Sequence, residues 1–160
     1  MTNIVNNKNF LLDTYAKLNN AGIKTFVFGG WAEELLGMIS PREHKDVDLL
    51  YLANNFELVD RFIKENNIFE VLQKRFAHKR AFEIAGVLIE IVLVSLADKK
   101  YITYFFGNYK FEWPADTFLK AMELSREISI ASPNALADYR RQHKSIMDKA
   151  VSIAIRQTWS

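Results

Sequence analysis

The chain has 160 residues, 49% hydrophobic and 25% charged, a composition that fits one globular domain. It contains no cysteine, which excludes disulfides, thiol catalysis and cysteine-bound zinc and suits a reducing cytoplasm. The formal net charge of +2 comes from basic residues spread along the chain, so nucleic acid is an unfavoured partner and any bound anion should be small. The most apolar stretch, residues 85–96, is too short to cross a bilayer, so we expect no membrane association and a cytoplasmic location.

The apolar pattern of the first half predicts alternating helices and strands. They are an amphipathic helix ending before Gly22, a strand over 25–28, a helix over 31–36, a strand over 47–52 and an amphipathic helix from Phe56 to Ile63. The first strand ends abruptly at Gly29-Gly30. A strand, a glycine turn and a helix therefore follow one another directly.

The second half predicts several strands and one final helix. The strand candidates are residues 80–85 and 87–94, hinged at Gly86, and the weaker 101–106 and 109–113. Ser132-Pro133 combines a side-chain cap with a proline at the first helical position, and the helix after it carries an apolar stripe on which we expect His143 to be packed.

This order predicts an α+β fold, a sheet with helices packed against it. We expect a single domain over 1–160, with a catalytic core at about 23–96 and a C-terminal helical part at about 132–158.

Asp46 and Asp48 are two residues apart on a predicted strand, so their side chains should share one face, with Cα atoms about 6.6 Å apart. Two carboxylates held in this way can share a cation. A capped strand end is the alternative interpretation of an isolated Asp-x-Asp.

Glu90 lies in the apolar stretch VLIEIVLV, where burial of an unpaired carboxylate would cost several kcal/mol. Glu90 must therefore reach water, a cationic partner or a metal ion. The alternative is an edge strand on which Glu90 faces solvent.

Gly29 and Gly30 could let backbone N–H groups approach a phosphate, although a tight turn alone would explain them. Arg42, His44 and Lys45 form a basic segment just before the Asp-x-Asp strand. Three converging carboxylates repel one another unless cations join them, and Mg²⁺ bridges carboxylates to triphosphate oxygens. The combination predicts metal and phosphate in one place.

The stretch GGWAEELLGMISPREHKDVDLL, residues 29–50, resembles the signature of the DNA polymerase beta-like nucleotidyltransferase superfamily. Within it, the closest resemblance is to the small lincosamide and aminoglycoside nucleotidyltransferases, which carry a Gly-Gly-Trp opening, an Arg-x-His segment and an Asp-x-Asp strand. The matching residues here are Gly29, Gly30, Trp31, Arg42, His44, Asp46 and Asp48. Glu90 stands where the family has a third carboxylate, which is Asp in many relatives.

The resemblance implies a nucleotidyltransferase fold, a mixed sheet flanked by helices with a short C-terminal helical part. It implies transfer of a nucleoside monophosphate from a nucleoside triphosphate, expected to be ATP, to a hydroxyl group with release of pyrophosphate. By this resemblance Asp46, Asp48 and Glu90 are catalytic and hold two Mg²⁺ ions. Gly29, Gly30, Arg42, His44 and Lys144 would bind the nucleotide, although Lys144 could equally belong to a solvated basic face of the last helix.

The expected acceptor is a small hydroxylated antibiotic of the lincosamide or aminoglycoside class. The alternatives are modification of a protein or RNA, and a non-catalytic antitoxin with the same fold. We expect a homodimer, with the aromatic segment from Tyr104 to Trp113 either in the core, at an acceptor pocket or at the subunit interface.

Overall fold

The computed structural model describes residues 5–118, 122–124 and 128–159, and the side chains of 5–118 and 128–148. Within these ranges the helices are α1 (Lys8–Asn20), α2 (Gly29–Leu35), α3 (Glu57–Glu65) and α4 (Pro133–Trp159). The strands are β1 (Thr25–Phe28), β2 (Asp46–Leu52), β3 (Phe69–Glu70), β4 (Lys79–Ile84), β5 (Val87–Ala97), β6 (Lys100–Phe105), β7 (Tyr109–Trp113), β8 (Met122–Leu124) and β9 (Ile128–Ile130). A 3₁₀ turn, Leu72–Lys74, lies between β3 and β4.

The strands form one mixed sheet, with the main order β3-β4-β5-β2-β1-β9-β8. β2 runs parallel to β5 and antiparallel to β1, and β1 runs parallel to β9. The β6–β7 hairpin continues from the far end of β5, where Ser95 pairs with Ile102. This order places β2 and β5, the two strands that carry the predicted carboxylates, side by side in the centre.

The two faces of β2 and β5 have opposite character because successive side chains of a strand point to opposite sides. Four side chains on one face are at most 1% exposed, namely Val47, Leu49, Ile89 and Ile91. The apolar faces of α1 and α3 belong to the same core, through Leu11, Leu18, Val59, Phe62 and Ile63. The buried face fixes the register of the strands and leaves Asp46, Asp48 and Glu90 together on the other face.

The observed architecture confirms the predicted α+β fold and the predicted helices and strands. Three strands were not predicted, β3, β8 and β9, because two or three residues are too few to show an alternating pattern. The cap of α4 is as expected, since the backbone N–H of Ala135 donates to Ser132 Oγ at 3.1 Å. In the described part of the chain, no helix has the length and apolar character needed to span a membrane.

Candidate active site

The three predicted catalytic carboxylates come together at the centre of the sheet. Asp46 and Asp48 lie at the start of β2, and the register pairs Asp48 with Glu90 on β5. One oxygen of each carboxylate lies within 4.8 Å of the others. This distance allows the three side chains to act on one ligand or cation.

The crowding of these carboxylates changes the acidity of Asp48. Burial, reinforced by the charges of Asp46 and Glu90, raises the pKa of Asp48 to about 8. Asp48 therefore keeps its proton at neutral pH, because it is buried and because the positive charge nearby does not balance the negative charges of Asp46 and Glu90. The oxygens of Asp46 and Asp48 are of the kind that Mg²⁺ prefers, so these two residues fit a divalent cation.

Glu90 is paired with two lysines. It is 8% exposed on a strand that lies between β2 and β4, so the alternative of a solvent-facing edge residue is wrong. Lys74 Nζ lies 3.2 Å from Glu90 Oε1, and Lys79 Nζ contacts Glu90 Oε2. Burial acts to raise the pKa of Glu90, but hydrogen bonds and charges from Lys79 and Lys74 outweigh it and lower that pKa. The third carboxylate is therefore ionised and held by ammonium groups.

The two glycines after β1 make room for functional groups. Gly29 has φ +65°, and a Cβ at this position would overlap Asp48 Oδ2. A Cβ on Gly30 would lie 2.8 Å from Arg42 Nη2 and 3.2 Å from His44 Nδ1. The first glycine thus admits a carboxylate and the second admits the basic segment before β2.

The basic segment is held in place by buried polar contacts. The His44 ring stacks on Trp31 with centroids 4.1 Å apart, and His44 Nε2 lies 3.0 Å from Glu34 Oε1. The Asn6 side-chain amide donates to the carbonyls of His44 and Asp46 at 3.0 and 3.1 Å, and its oxygen accepts from Trp31 Nε1 at 3.0 Å. Trp31 is 5% exposed and acts as a core anchor, the structural interpretation of a tryptophan at this position.

The carboxylates lie where two cavities meet. The basic cavity, of about 350 Å³, is bounded by the basic segment with Arg42, His44 and Lys45. The aromatic cavity, of about 420 Å³, is bounded by Phe28, Val92, Leu136, Tyr139 and His143, with Lys79 and Glu90 in its wall. Asp46, Asp48, Glu33 and Arg140 border both cavities. Two ligands, one in each cavity, could therefore both reach Asp46 and Asp48.

Tyr139 makes several aromatic contacts in the wall of the aromatic cavity. Its ring stacks on Trp113 with centroids 5.5 Å apart and meets the edge of Phe28 at 5.0 Å. Its hydroxyl lies 3.0 Å from Nδ1 of His143, which is exposed, so the prediction of a packed His143 is wrong. Burial, with the charges of Asp48 and Glu90, raises the pKa of Tyr139 to about 12 and keeps the hydroxyl protonated.

The aromatic segment of the β6–β7 hairpin packs mainly inside the chain, as the core interpretation requires. Phe105, Phe111 and Trp113 are 2–4% exposed and all contact Tyr139. Tyr104 is 51% exposed. The hairpin thus supports the aromatic cavity from behind.

An ion pair joins α4 to α2 between the cavities. Arg140 Nη2 lies 2.8 Å from Oε1 of Glu33, which is 7% exposed. Lys144, predicted to bind nucleotide, lies one turn further along α4, is exposed and borders neither cavity. Arg140 is therefore the basic residue of α4 that stands next to the carboxylates.

The sequence profile of the aminoglycoside-2''-adenylyltransferases matches residues 10–148. The chain belongs to the aminoglycoside-2''-adenylyltransferase family. This membership confirms the resemblance to the small antibiotic-modifying nucleotidyltransferases, and it makes the protein a nucleotidyltransferase. The matched range contains all three carboxylates, both glycines and the basic segment.

Two solved structures share the nucleotidyltransferase fold of this family member. ANT(2'')-Ia in complex with adenylyl-2''-tobramycin gives a TM-score of 0.61 at 17% identity, over 85% of this chain and 76% of that one. The lincosamide antibiotic adenylyltransferase LnuA, with lincomycin bound, gives 0.66 at 14% identity, over 83% and 85%. At these identities the likeness establishes the fold alone. Among curated protein sequences, none matches this aminoglycoside-2''-adenylyltransferase family member.

Four side chains at the site of this adenylyltransferase family member were not predicted: Asn6, Glu33, Lys79 and Tyr139. Lys79 could have been found, because a hairpin turning at Ala85-Gly86 pairs Ala81 with Glu90 and puts Lys79 on the same face. Asn6 left no signal, since its role depends on contacts with residues far along the chain.

A larger cavity lies away from the carboxylates. It measures about 670 Å³, between the ends of α1 and α3 and beside β4. The charged residues that line it are Lys17 and Glu83, and none of the predicted site residues borders it. Its volume is greater, but its walls bring no reactive groups together, so the chemistry belongs to the two smaller cavities.

Proposed function

We propose that the protein transfers a nucleoside monophosphate, with ATP as the donor, to a hydroxyl group of a small antibiotic and releases pyrophosphate. The observation that carries this proposal is that Asp46 and Asp48 border both cavities, with Glu90 beside them in the wall of the aromatic cavity. Phosphoryl chemistry consists largely of positioning and charge stabilisation, and the two cavities offer separate places for donor and acceptor.

The basic cavity is the proposed donor side. Arg42, His44 and Arg140 would offset the charge of the triphosphate there, with Lys144 as a further contact from α4. Gly29 and Gly30 keep the space beside Asp48 and the basic segment free. Asp46 and Asp48 would hold Mg²⁺, which when bound would offset part of the negative charge of the triphosphate.

The aromatic cavity is the proposed acceptor side. Its volume of about 420 Å³ lies in the usual range for small-molecule sites, and its mixture of aromatic walls with a few polar groups is typical of such sites. The Tyr139 hydroxyl and the His143 imidazole could orient an acceptor hydroxyl near Glu90. The neighbours that carry adenylyl-tobramycin and lincomycin support an aminoglycoside or a lincosamide as the acceptor.

In the proposed reaction the acceptor oxygen forms a bond to the α-phosphorus. The bond from that phosphorus to the oxygen bridging the β-phosphorus breaks, and pyrophosphate leaves with the electron pair. Glu90, which faces the acceptor side, either receives the acceptor proton or completes the cation site.

The test is incubation of the protein with Mg²⁺, each of the four common nucleoside triphosphates and a panel of aminoglycosides and lincosamides. Mass spectrometry should detect an antibiotic that has gained one nucleoside monophosphate, most strongly with ATP. The Asp48→Asn variant should form no product, while Asp13→Asn, which changes an exposed aspartate on α1, should behave as wild type. No adduct with any pair of substrates would contradict the proposal.

Modification of a protein or RNA, and a non-catalytic antitoxin, are not favoured. A binding module has no physical need for three converging carboxylates, and the acceptor cavity has the volume of a small molecule rather than a long groove. Nucleotide transfer to a protein or RNA, with none to the antibiotics, would reverse this preference.

A further inference from the structure

Both carboxylate oxygens of Glu90 already have cationic partners. Lys79 reaches Oε2 from β4, and Lys74 reaches Oε1 from the 3₁₀ turn before it. The two lysines differ in setting: the Lys79 side chain is 21% exposed and borders the aromatic cavity, whereas that of Lys74 is 42% exposed and borders neither cavity. Of the two ammonium groups, that of Lys79 is therefore the more buried and the one that borders the aromatic cavity.

The strand register explains how Lys79 comes to this position. Ala81 is directly opposite Glu90, and Lys79 is two residues further along β4 on the same face. Diagonal neighbours of this kind are about 7–8 Å apart at Cα, within reach of long side chains. The small Ala81 leaves space between them, and Glu90 is one methylene longer than aspartate, so the two charged ends meet.

We propose that the Lys79 ammonium group takes the place of a second cation, so that the site binds one divalent ion, at Asp46 and Asp48. Lys79 is then a positioning residue: it keeps Glu90 from binding a metal ion, so that Glu90 can act on the acceptor. This inference rests on the proposed function, because it assumes that the carboxylates bind a divalent ion together with a nucleotide.

A count of charges supports one ion rather than two. When they hold a metal ion the three carboxylates are ionised and carry three negative charges, which one divalent ion and Lys79 offset even before the more exposed Lys74 is counted. The triphosphate would lie opposite a separate set of basic residues, Arg42, His44 and Arg140. Two divalent ions would add positive charge next to the half-buried ammonium group of Lys79, which is unfavourable in a partly desolvated site. Glu90 would also have to leave Lys79, which would then lose its partner.

Native mass spectrometry can count the ions directly. The wild-type protein is mixed with Mn²⁺ and an ATP analogue whose α- and β-phosphates are joined by a methylene group, so that no transfer occurs. We expect one analogue and one Mn²⁺ bound per chain, and all counts below are likewise per chain. Two Mn²⁺ ions in the wild-type complex would overturn the inference while leaving the proposed function intact, whereas no analogue and no Mn²⁺ would contradict the proposed function itself.

Three variants test the role of Lys79. Lys79→Met should bind two Mn²⁺ ions with the analogue, because Glu90 becomes free to bind the second, and Lys79→Arg should restore a count of one. Lys74→Met is the matched control, since it removes the other partner of Glu90 and should keep the count at one. A count of one in folded Lys79→Met, or of two in Lys74→Met, would overturn the assignment to Lys79. The wild-type count needs no variant, so it decides the proposal even if Lys79→Met does not fold, which thermal melting would reveal.

Discussion

Asp48 lowers the stability of the metal-free protein, and Asp48→Asn should therefore raise it. The pKa of Asp48 is about 8 in the folded chain against 3.8 for the unperturbed side chain, chiefly because of burial and the charges of Asp46 and Glu90. Between these two values the unfolded chain has lost a proton that the folded chain keeps. Rising pH in this interval consequently favours the unfolded state. Asparagine has no proton to lose, so the variant escapes this effect.

The size of the gain follows from the same interval. From pH 3.8 to pH 7, at about 1.4 kcal/mol per pH unit, linkage gives an upper limit of about 4 kcal/mol. Water and counter-ions that enter the partly buried site will reduce it, and we expect about 2 kcal/mol at pH 7. For a chain of this length, this corresponds to an increase in Tm of about 4–8 °C.

Thermal unfolding followed by circular dichroism, in a chelator at pH 4, 7 and 8.5, measures this gain. The stability advantage of Asp48→Asn should be small at pH 4, which is only just above the unfolded pKa of 3.8, and should grow with rising pH until it levels off above the folded pKa of about 8. The exposed control Asp13→Asn should show no such trend. Added Mg²⁺ should stabilise wild type more than Asp48→Asn. A gain independent of pH, or a variant less stable than wild type at pH 7, would refute the reasoning.

Four further predictions concern the site and the assembly. Gly29→Ala should abolish triphosphate binding, measured by calorimetry, because its Cβ overlaps Asp48, whereas Gly37→Ala, with a similar positive φ but open space, should retain it. Glu90→Gln should lower kcat by about 10² to 10⁴ with little change in triphosphate affinity, and unchanged turnover would contradict its role. Arg140→Met should weaken triphosphate binding by about ten-fold or more and Lys144→Met by less, because Arg140 borders both cavities; the reverse order in calorimetry would contradict the geometry. Light scattering should give about twice the 18.6 kDa of one chain if the expected homodimer forms, and a mass near 18.6 kDa would contradict it.

The carboxylate cluster was predictable because charge stands out on an apolar strand. Asp46 and Asp48 share a face by simple alternation, and Glu90 interrupts a run of large apolar residues. The parallel pairing of β2 with β5 was not predictable from sequence patterns, because it joins distant parts of the chain and leaves no local signal. The family resemblance supplied that contact, and the register shows Asp48 directly beside Glu90.

The sequence alone does not show which basic residue of α4 lies next to the carboxylates. Helical spacing puts Arg140 and Lys144 on the same side of the helix, so periodicity alone does not distinguish them. What distinguishes them is the buried Glu33 of α2, which pairs with Arg140 and borders both cavities with it. The packed position predicted for His143 was wrong for a similar reason. Helical spacing shows that His143 lies on the stripe, but it does not show that the stripe faces a cavity at this point.

The contacts of Asn6 have a practical consequence for anyone who expresses or edits this gene. Asn6 lies ahead of α1 and of every motif residue, yet its amide fixes the carbonyls of His44 and Asp46 and the indole of Trp31. A start codon chosen slightly downstream, or a protease that trims the segment ahead of α1, would leave every motif residue in place yet release the basic segment.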